Sequence, residues 1–360
     1  MQTLLLTRND IAELVAIVGL DALMDAVIDG ITNACLHYRA DHFDIPVRDG
    51  FSYDGNDGGL IEWMPLLSSE VGVTLKLVGY HPHNPVRHKL PTVLSTMIGF
   101  DTATGRATSI LDATFLTSLR TGAASAVASR ILSAPSSRVL GLIGAGAQAV
   151  TQLHALSRVF DFDRCLIADI DPAGCASFER RIQALEIQTT VETTTADDIA
   201  AKADIICTAT SVAVGAGPVM PDGEFRSHLH INAVGSDFPG KTELPADLVR
   251  RALVCPDFAA QAQREGECQQ LDGKAHGPEL YELVQSAPRF SEARNRLTVF
   301  DSTGWALEDH VAATILTDLA RDTGCGTWID MAAASDDPRD PYGFAASIQE
   351  AAAYTRKRSA

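Results

Sequence analysis

The 360-residue sequence predicts an α/β protein with two sheets: an antiparallel sheet in a first, α+β part and a doubly wound parallel sheet in a second part. Three observations support this prediction. β-Rich runs follow one another without helices between residues 73 and 114, and strands and helices alternate from residue 138 onward. The length suits about two domains of roughly 150 residues each.

The first part opens with helical patterns at residues 9–18 and 21–38. We expect Asn9 or Asp10 to cap the first helix, because short polar side chains accept hydrogen bonds from the free N–H groups of a helix start. Three β-rich runs follow, at residues 73–80, 92–100 and 107–112. The turn-forming residues 101–105 join the last two runs, which indicates a hairpin and therefore an antiparallel sheet.

In the second part, predicted strands and helices alternate after a helix at residues 115–132. The predicted strands lie at residues 138–143, 164–168, 205–209, 230–234 and 252–254. Predicted helices lie at residues 148–158, 172–185 and 306–323. Such alternation is typical of a parallel sheet that helices cover on both faces.

The composition excludes several classes of function. Acidic residues outnumber basic ones by 46 to 29, and the net charge of −17 argues against a nucleic-acid partner or an anionic membrane surface. The sequence contains no run of 18 apolar residues that would predict a membrane span. The apolar part of the N-terminus is too short for a signal peptide.

Cysteines and histidines predict neither a disulfide framework nor a metal site. The seven cysteines form no CxxC pair, which favours reduced thiols and a cytoplasmic location. Two histidine pairs, His81/His83 and His228/His230, each share a face of an extended segment, but the sequence marks no third ligand beside them. We therefore expect no metal.

A glycine-containing turn predicts a dinucleotide-binding site. The run Gly144-x-Gly146-x-x-Ala149 follows a predicted strand and leads into a predicted helix, whose first residues include Ala147 and Gln148. Gly144 permits the tight turn, Gly146 lets a pyrophosphate approach the backbone, and the small Ala149 lets the helix pack closely on the strand. The N-terminus of the helix then faces the phosphates.

The next predicted strand ends in an acidic residue that fits this interpretation. Asp169 stands where an acid accepts hydrogen bonds from the ribose hydroxyls. No arginine occurs between Asp169 and Ala173, and Asp171 adds a second negative charge, so a 2′-phosphate would be repelled. The sequence therefore favours NAD over NADP.

Charged residues occur in apolar segments, where a core would not place them. Arg120 lies at the edge of an apolar helix face and needs an anion there, either a salt-bridge partner or a ligand. Lys76 lies in a strand-like run and either binds a ligand or is solvated, and Glu62 has bulky apolar neighbours. Asp237 follows a buried-type strand, in a loop with Lys241, and is either a general base or a turn-forming residue. We favour the base, because ligand sites of parallel sheets collect at strand ends.

Together these segments resemble the ornithine cyclodeaminase/μ-crystallin family over nearly the whole chain. The motifs that carry the resemblance lie at residues 60–65, 76–82, 118–125, 141–148, 232–244, 264–267 and 299–304. Residues 125–129, 208–215 and 267–271 are most similar to the lysine cyclodeaminase branch, whereas the run Asp237-Phe-Pro-Gly-Lys241 is more similar to the ornithine enzymes. The choice between lysine and ornithine stays open, and lysine is favoured.

The resemblance implies a fold and a reaction. It implies a substrate-binding and dimerisation domain at residues 1–120, rejoined by residues 320–360, and a Rossmann NAD-binding domain at residues 121–319. The protein would be a homodimer with tightly held NAD. In the implied redox-neutral reaction, hydride leaves the substrate Cα for NAD+, the terminal amine attacks the imine carbon, ammonia departs, and the hydride returns to the cyclic imine. The product is pipecolate from lysine or proline from ornithine.

The resemblance also implies roles for the charged residues. Arg48, Lys76 and Arg120 would hold the substrate carboxylate, since cations suit a bound anion. Glu62 would face the distal ammonium, and Asp237 would take a proton from that amine, which must be neutral to act as a nucleophile. The residues that would seat the cofactor, besides the glycine turn, are Thr92, Thr121, Lys241 and Ser302.

Two rival functions stay open. One is an NAD-dependent amino-acid dehydrogenase or ketimine reductase on the same scaffold; the acid at Asp237 favours cyclisation over it. The other is a crystallin-like binding protein that has kept the fold and lost catalysis. The joint presence of Glu62, Lys76, Arg120 and Asp237 argues against the second rival.

Overall fold

Two β-sheets organise the chain, which confirms the α/β prediction. The computed structural model describes residues 2–53, 58–223, 225–271, 273, 275–331, 337–343 and 345. Much of the predicted return segment 320–360, including residues 346–360, lies outside these described residues.

The strands fall into two consecutive groups with a final return. The first group is β1 (Thr3–Leu6), β2 (Phe43–Asp44), β3 (Asp49–Tyr53), β4 (Gly59–Ser68), β5 (Gly72–Tyr80), β6 (Val93–Phe100) and β7 (Ala107–Asp112). The second group is β8 (Val139–Ile143), β9 (Arg164–Ala168), β10 (Thr190–Thr193), β11 (Ile205–Thr208), β12 (His230–Ala233), β13 (Leu253–Pro256) and β14 (Thr298–Asp301). The last strand, β15 (Thr327–Ile329), returns to the first sheet.

Helices lie before, between and after these groups. The α-helices are α1 (Arg8–Val18), α2 (Leu20–Leu36), α3 (Asn84–Arg87), α4 (Thr114–Leu132), α5 (Ala147–Ser157), α6 (Pro172–Ala176), α7 (Phe178–Ile182), α8 (Ala196–Lys202), α9 (Ala246–Arg251), α10 (Ala259–Glu265), α11 (Leu280–Gln285) and α12 (Ala306–Thr323). Short 3-10 segments occur at Ala40–His42, Gln183–Leu185, Glu267–Leu271 and Ala287–Asn295.

The first sheet has the strand order β15-β1-β7-β6-β5-β4-β2, and β3 also pairs with β4. Its neighbouring strands are antiparallel except for β1 and β7, which run parallel. Because successive side chains of a strand point to opposite faces, one face of this sheet is buried against α1, α2, α4 and α12. Met64 on β4 and Met97 on β6 lie in that core.

The second sheet is entirely parallel, in the order β10-β9-β8-β11-β12-β14-β13. Its strands are apolar on both faces, as the alternation with helices predicts. On β11, Ile206 belongs to the core under α8, α9 and α10, whereas its neighbour Ile205 belongs to the core under α5 and α7. The carboxyl ends of these strands therefore share one edge, which we call the carboxyl edge.

Helix α4 lies between the two sheets. Its small residues leave it buried on nearly every side, and a Cβ on Gly122 would come within 2.5 Å of the Thr151 carbonyl oxygen on α5. The helix therefore approaches α5 closely because it lacks a side chain at that position. This packing brings Arg120, two residues before Gly122 on the helix, into the interior.

Three details differ from the sequence-based expectations. Thr7, rather than Asn9 or Asp10, caps α1, because its side chain and that of Asp10 form a reciprocal capping box. The helix predicted at 172–185 is broken at Ser177, whose hydroxyl donates to the Gly174 carbonyl. Seven strands had no sequence prediction: β1, β2, β3, β4, β10, β14 and β15. Five of them, β1, β2, β10, β14 and β15, are only two to four residues long, too short for a periodic pattern.

Candidate active site

The glycine turn connects β8 to α5 at the carboxyl edge. Gly144 has a φ of +99°, and a Cβ there would lie 2.5 Å from the Ala209 carbonyl oxygen. A Cβ on Gly146 would meet no atom within 4 Å, so the backbone is open on that side. Helix α5 begins at the exposed Ala147, followed by Gln148, and its first N–H groups are available to an anion.

Asp169 links this turn to the end of β9. Its Oδ2 accepts a hydrogen bond from the Ala145 N–H at 2.6 Å, and its Oδ1 accepts one from the Asp171 N–H at 2.8 Å. Each carboxylate oxygen keeps a further lone pair for a ribose hydroxyl. Asp171 caps α6 by accepting from the Ala173 N–H at 3.0 Å. Asp171 therefore has a structural role at the edge of the candidate nucleotide site.

The other predicted cofactor residues differ in how free their side chains are. The hydroxyl of Ser302, just after β14, is buried and has no hydrogen-bond partner among the described residues. The Thr121 hydroxyl donates to the Thr117 carbonyl at 2.9 Å, and half-buried Thr92 accepts a hydrogen bond from the His81 N–H through its carbonyl. A buried hydroxyl without a partner is costly. Ser302 and the open Gly146 therefore fit a bound dinucleotide.

Lys76 and Arg120 are both buried and share one carboxylate. Asp309 on α12 places Oδ2 2.5 Å from Lys76 Nζ and Oδ1 2.9 Å from Arg120 Nε. Glu308 places Oε2 2.9 Å from Arg120 Nη1. The structure contradicts a solvated Lys76, which is 1% exposed, and it gives Arg120 the salt bridges that its burial requires.

Burial changes the proton affinities of this cluster. It lowers the pKa of Lys76 to about 8, although the neighbouring Asp309 carboxylate opposes the change. Burial likewise raises the pKa of Glu308 to about 8 against the charge of Arg120. For Asp309, the effect of burial is outweighed by Arg120 and Lys76, which hold the pKa of its carboxyl below the usual value.

Arg48 lies between two carboxylates on different elements. Its Nε is 2.6 Å from Glu265 Oε1 on α10, and its Nη1 is 3.4 Å from Glu62 Oε2 on β4. It also donates to the Thr303 carbonyl. Burial raises the pKa of Glu265 to about 8 and raises that of Glu62, in both cases against the opposing charge of Arg48.

Asp237 and Lys241 form an ion pair in the loop after β12. Lys241 Nζ lies 2.8 Å from Asp237 Oδ1 and 5.2 Å from the centre of the Tyr80 ring. Burial acts to lower the pKa of Lys241, but the charge of Asp237 opposes it, and the pKa of this lysine lies above its usual value. Asp237 is partly exposed, and its side chain accepts a hydrogen bond from the lysine.

The structure thus brings the predicted charged residues together where the first sheet meets the carboxyl edge. The charges of Glu62 and Asp237 act on Arg48. The charges of Arg120 and Arg48 in turn act on Lys76. Sequence reasoning missed several partners in this cluster: Tyr80, Asp257, Glu265, Thr303, Glu308 and Asp309. One signal was available in the sequence: the adjacent acids Glu308 and Asp309 stand at the start of an apolar helix pattern. No lysine or arginine lies close to them in the sequence, so their partners had to come from elsewhere in the fold.

The described part of the chain contains neither a cluster of metal ligands nor a membrane-spanning helix. No group of three histidine, cysteine or acidic side chains there is arranged to hold a metal ion. No described helix combines the length and the apolar character that crossing a membrane requires.

Comparison with known proteins gives four related results. The model of the ornithine cyclodeaminase/mu-crystallin family matches residues 7–324. The L-lysine cyclodeaminase of Streptomyces rapamycinicus is 43% identical over 345 residues, covering 96% of this chain and 100% of that protein. A solved structure of a lysine cyclodeaminase, described for its recognition of L-lysine, L-ornithine and L-2,4-diaminobutyric acid, superposes with a TM-score of 0.91 at 48% identity, over 96% of this chain and 100% of that one. An archaeal alanine dehydrogenase dimer with bound NAD has a TM-score of 0.79 at 29% identity, over 92% and 100% of the two chains.

Proposed function

The chain belongs to the ornithine cyclodeaminase/mu-crystallin family, and on this premise we propose that it is an NAD-dependent cyclodeaminase. It converts a basic L-amino acid into a cyclic imino acid with loss of ammonia: L-lysine into L-pipecolate, or L-ornithine into L-proline. The relatives that recognise lysine, ornithine and diaminobutyric acid support this substrate class, and 43% identity to a lysine cyclodeaminase favours lysine.

One observation carries the proposal: buried cations and the carboxylate of Asp237 converge at the carboxyl edge of the parallel sheet. Lys76 and Arg120 offer two positive groups to a substrate carboxylate, in an interior where such contacts are strong. Glu62, with its pKa raised mainly by burial, offers a carboxyl group to the distal amine. A basic amino acid has both kinds of end.

The nucleotide would lie along the glycine turn, with its phosphates at the start of α5 and its ribose at Asp169. Ser302 and Lys241, beside the ends of β14 and β12, line the cofactor side of the site. When bound, NAD takes up the hydride of the substrate Cα and gives it back to the cyclic imine. Asp169 leaves no favourable place for a 2′-phosphate, which supports NAD over NADP.

The side chains of the chain itself bind the substrate and move its protons. Lys76 and Arg120 would fix the carboxylate and thereby orient the substrate Cα. Arg48 adds a third cation nearby, held by Glu62 and Glu265. Asp237 takes the proton that the distal amine must lose before it attacks Cα. Lys241 holds the Asp237 carboxylate in place through their ion pair at 2.8 Å.

The exposed face of the first sheet supports a homodimer. It carries an apolar surface, the outer face, which consists of Phe51, Ile61, Trp63, Pro65, Leu67, Leu75, Leu77, Leu94, Ile98, Phe100 and Ile110. Several of these side chains are strongly exposed, Phe51 by 68%. Contiguous apolar surface of this kind marks a protein interface. A second copy of the chain is the occupant we propose, in line with the dimeric archaeal relative.

The division of labour between the sheets is also a proposal. Residues 1–120, with the return after 320, would bind the substrate and form the dimer, and residues 121–319 would bind NAD. The pairing of β15 with β1 supports the return. Both boundaries fall inside continuous helices, α4 and α12, so these helices belong to both parts. All seven cysteines are free thiols, which supports a cytoplasmic location.

A product assay tests the function. Purified protein, supplied with NAD+ and L-lysine, L-ornithine or L-2,4-diaminobutyrate in turn, is expected to release one ammonia for each cyclic imino acid formed from its preferred substrate. No NADH should accumulate at 340 nm. Accumulation of NADH in proportion to ammonia would instead establish an amino-acid dehydrogenase, and absence of product from all three amino acids would contradict the proposed cyclodeaminase.

A further inference from the structure

The strongest unassigned feature is the carboxylate of Asp309. It lies in the first turn and a half of α12, it is 1% exposed, and it sits between the two cations proposed to bind the substrate. Each of its oxygens takes a different cation: Oδ2 faces Lys76 Nζ at 2.5 Å, and Oδ1 faces Arg120 Nε at 2.9 Å. The two cations come from two other elements than α12: Lys76 lies on β5 and Arg120 on α4.

Two buried cations cannot share a small space without an anion between them. The charge of Arg120 disfavours the protonated form of Lys76 and lowers the pKa of this lysine. Burying the two cations side by side is therefore costly unless an anion pairs with them. A single carboxylate that bridges them offsets this repulsion and fixes their spacing. The positions of Lys76 and Arg120 therefore depend on one side chain of a third element.

The bridge leaves donors free on both cations. Lys76 has three N–H groups, of which Asp309 takes one, and Arg120 gives Nε to Asp309 and Nη1 to Glu308. Neither Asp309 nor Glu308 takes Nη2 of Arg120. A Cβ on Gly304 would come within 2.8 Å of this Nη2, so only a residue without a side chain fits beside this part of the guanidinium. The remaining donors suit a bidentate carboxylate.

The charge balance also suits an anion. Lys76 and Arg120 contribute two positive charges and Asp309 removes one, while burial favours the neutral form of Glu308 by raising the pKa of its carboxyl. The subsite thus keeps about one net positive charge. If both Glu308 and Asp309 were ionised, their two negative charges would cancel the two positive charges of Lys76 and Arg120.

We propose, resting on the proposed function, that Asp309 is a positioning residue that presets Lys76 and Arg120 as a two-cation cradle for the α-carboxylate of the amino-acid substrate. It does not touch the substrate. It acts through the two cations, by fixing their distance and by keeping Lys76 protonated. Its loss should therefore impair substrate binding more than the chemical step.

The test compares Asp309→Asn with Asp318→Asn, the same change at an exposed site on the same helix. Asp309→Asn is expected to raise KM for the amino acid about 10- to 100-fold, with a smaller change in kcat and unchanged affinity for NAD. Asp318→Asn should match the wild type. Titration with the cyclic product, followed by calorimetry, gives a binding readout that needs no turnover.

The pH profile separates positioning from a merely structural role. The charged groups that act on Lys76 include Asp309 of α12, Arg120 of α4, Arg48, and Glu62 of β4. Asp309 favours the protonated lysine, so its neutralisation should shift the basic limb of kcat/KM to lower pH. Asp309→Glu, which keeps the charge, should retain that limb near its wild-type position and recover part of the affinity. It is also the variant to measure if Asp309→Asn does not fold.

A double-mutant cycle gives the last check. If Asp309 acts through Lys76, Asp309→Asn should cost much less affinity in a Lys76→Met background than in the wild type. Additive effects, or an unchanged KM and basic limb in a folded, NAD-binding Asp309→Asn protein, would overturn the inference. Failure of the wild type to cyclise any diamino acid would instead overturn the proposed function, so the two failures are distinguishable.

Discussion

At the scale of single residues, the proposed chemistry depends on the protonation states that the interior imposes. Asp237 has the clearest test, because a general base typically accounts for a rate factor of about 10²–10⁴. We expect Asp237→Asn to lower kcat by about that factor while NAD affinity, measured by fluorescence titration, changes little. The matched control is Asp247→Asn, an exposed aspartate on α9. Turnover near the wild-type rate in Asp237→Asn would remove the base assignment.

Lys76 gives a prediction about pH. Its pKa is lowered mainly by burial to about 8, and only the protonated form attracts a carboxylate. Its contribution to binding is therefore complete well below pH 8 and is lost as pH rises through about 8. We expect kcat/KM for the amino acid to fall over that range, through KM. In Lys76→Met, kcat/KM should be low at every pH, and its fall near pH 8 should be absent. If the fall persists in this variant, it belongs to another group.

These residues also show where sequence reasoning ends. The sequence identified Lys76, Arg120 and Glu62 because each is a charge in an apolar run, and Asp237 because it follows a buried-type strand. It could not pair them, because Lys76 and Asp309 are 233 positions apart and only the tertiary fold brings them together. The solvated alternative for Lys76 failed for the same reason: local alternation assigns a face but not what covers it.

At the scale of elements, the glycine turn carries the prediction about the cofactor. Gly144→Ala forces a Cβ towards the Ala209 carbonyl at a φ of +99°, so we expect a loss of about 1–3 kcal/mol in the free energy of unfolding. Gly146→Ala adds a Cβ to open space, so stability should stay within about 1 kcal/mol of the wild type. Its affinity for NAD should nevertheless fall, because the Cβ occupies the path of the pyrophosphate.

Thermal unfolding of both variants, with and without NAD, measures these effects separately. An unaltered NAD affinity in Gly146→Ala would contradict the placement of the nucleotide on this turn.

The elements of the parallel sheet also show how much of the structure local sequence patterns predict. The strand, turn and helix around Gly144 were predictable, since local chemistry dictates them, whereas β10 and β14 are short strands that exist because the sheet pairs them.

At the scale of the whole molecule, the outer face of the first sheet predicts association. Leu77→Glu places a charge in its centre, opposite Trp63 in the strand register, and should shift the protein from dimer towards monomer. Ile17→Glu, a similar change at an exposed site on α1, is the control and should leave the mass unchanged. Sedimentation velocity at micromolar concentration measures both. A wild-type protein that sediments as a monomer would contradict the dimer.

The net charge of −17 belongs to this scale as well. It is a property of the surface, and it argues against nucleic acid but identifies no substrate. The substrate-side information lies in the exceptions, the buried cations that α4, α12 and β5 hold together. The division into two sheets was predictable from patterning; the convergence of both on one cluster was not, because it depends on how the sheets pack.

The central claim is that hydride leaves the substrate and returns to it within one reaction cycle. Deuterium at Cα of L-lysine, or of L-ornithine if that is the better substrate, tests this most directly, with unlabelled NAD+ and mass spectrometry of the product. Cyclodeamination predicts that deuterium is retained at C2 of the cyclic imino acid and that no labelled NADH appears in solution. Loss of the deuterium from the product, with its appearance in free NADH, would contradict the account.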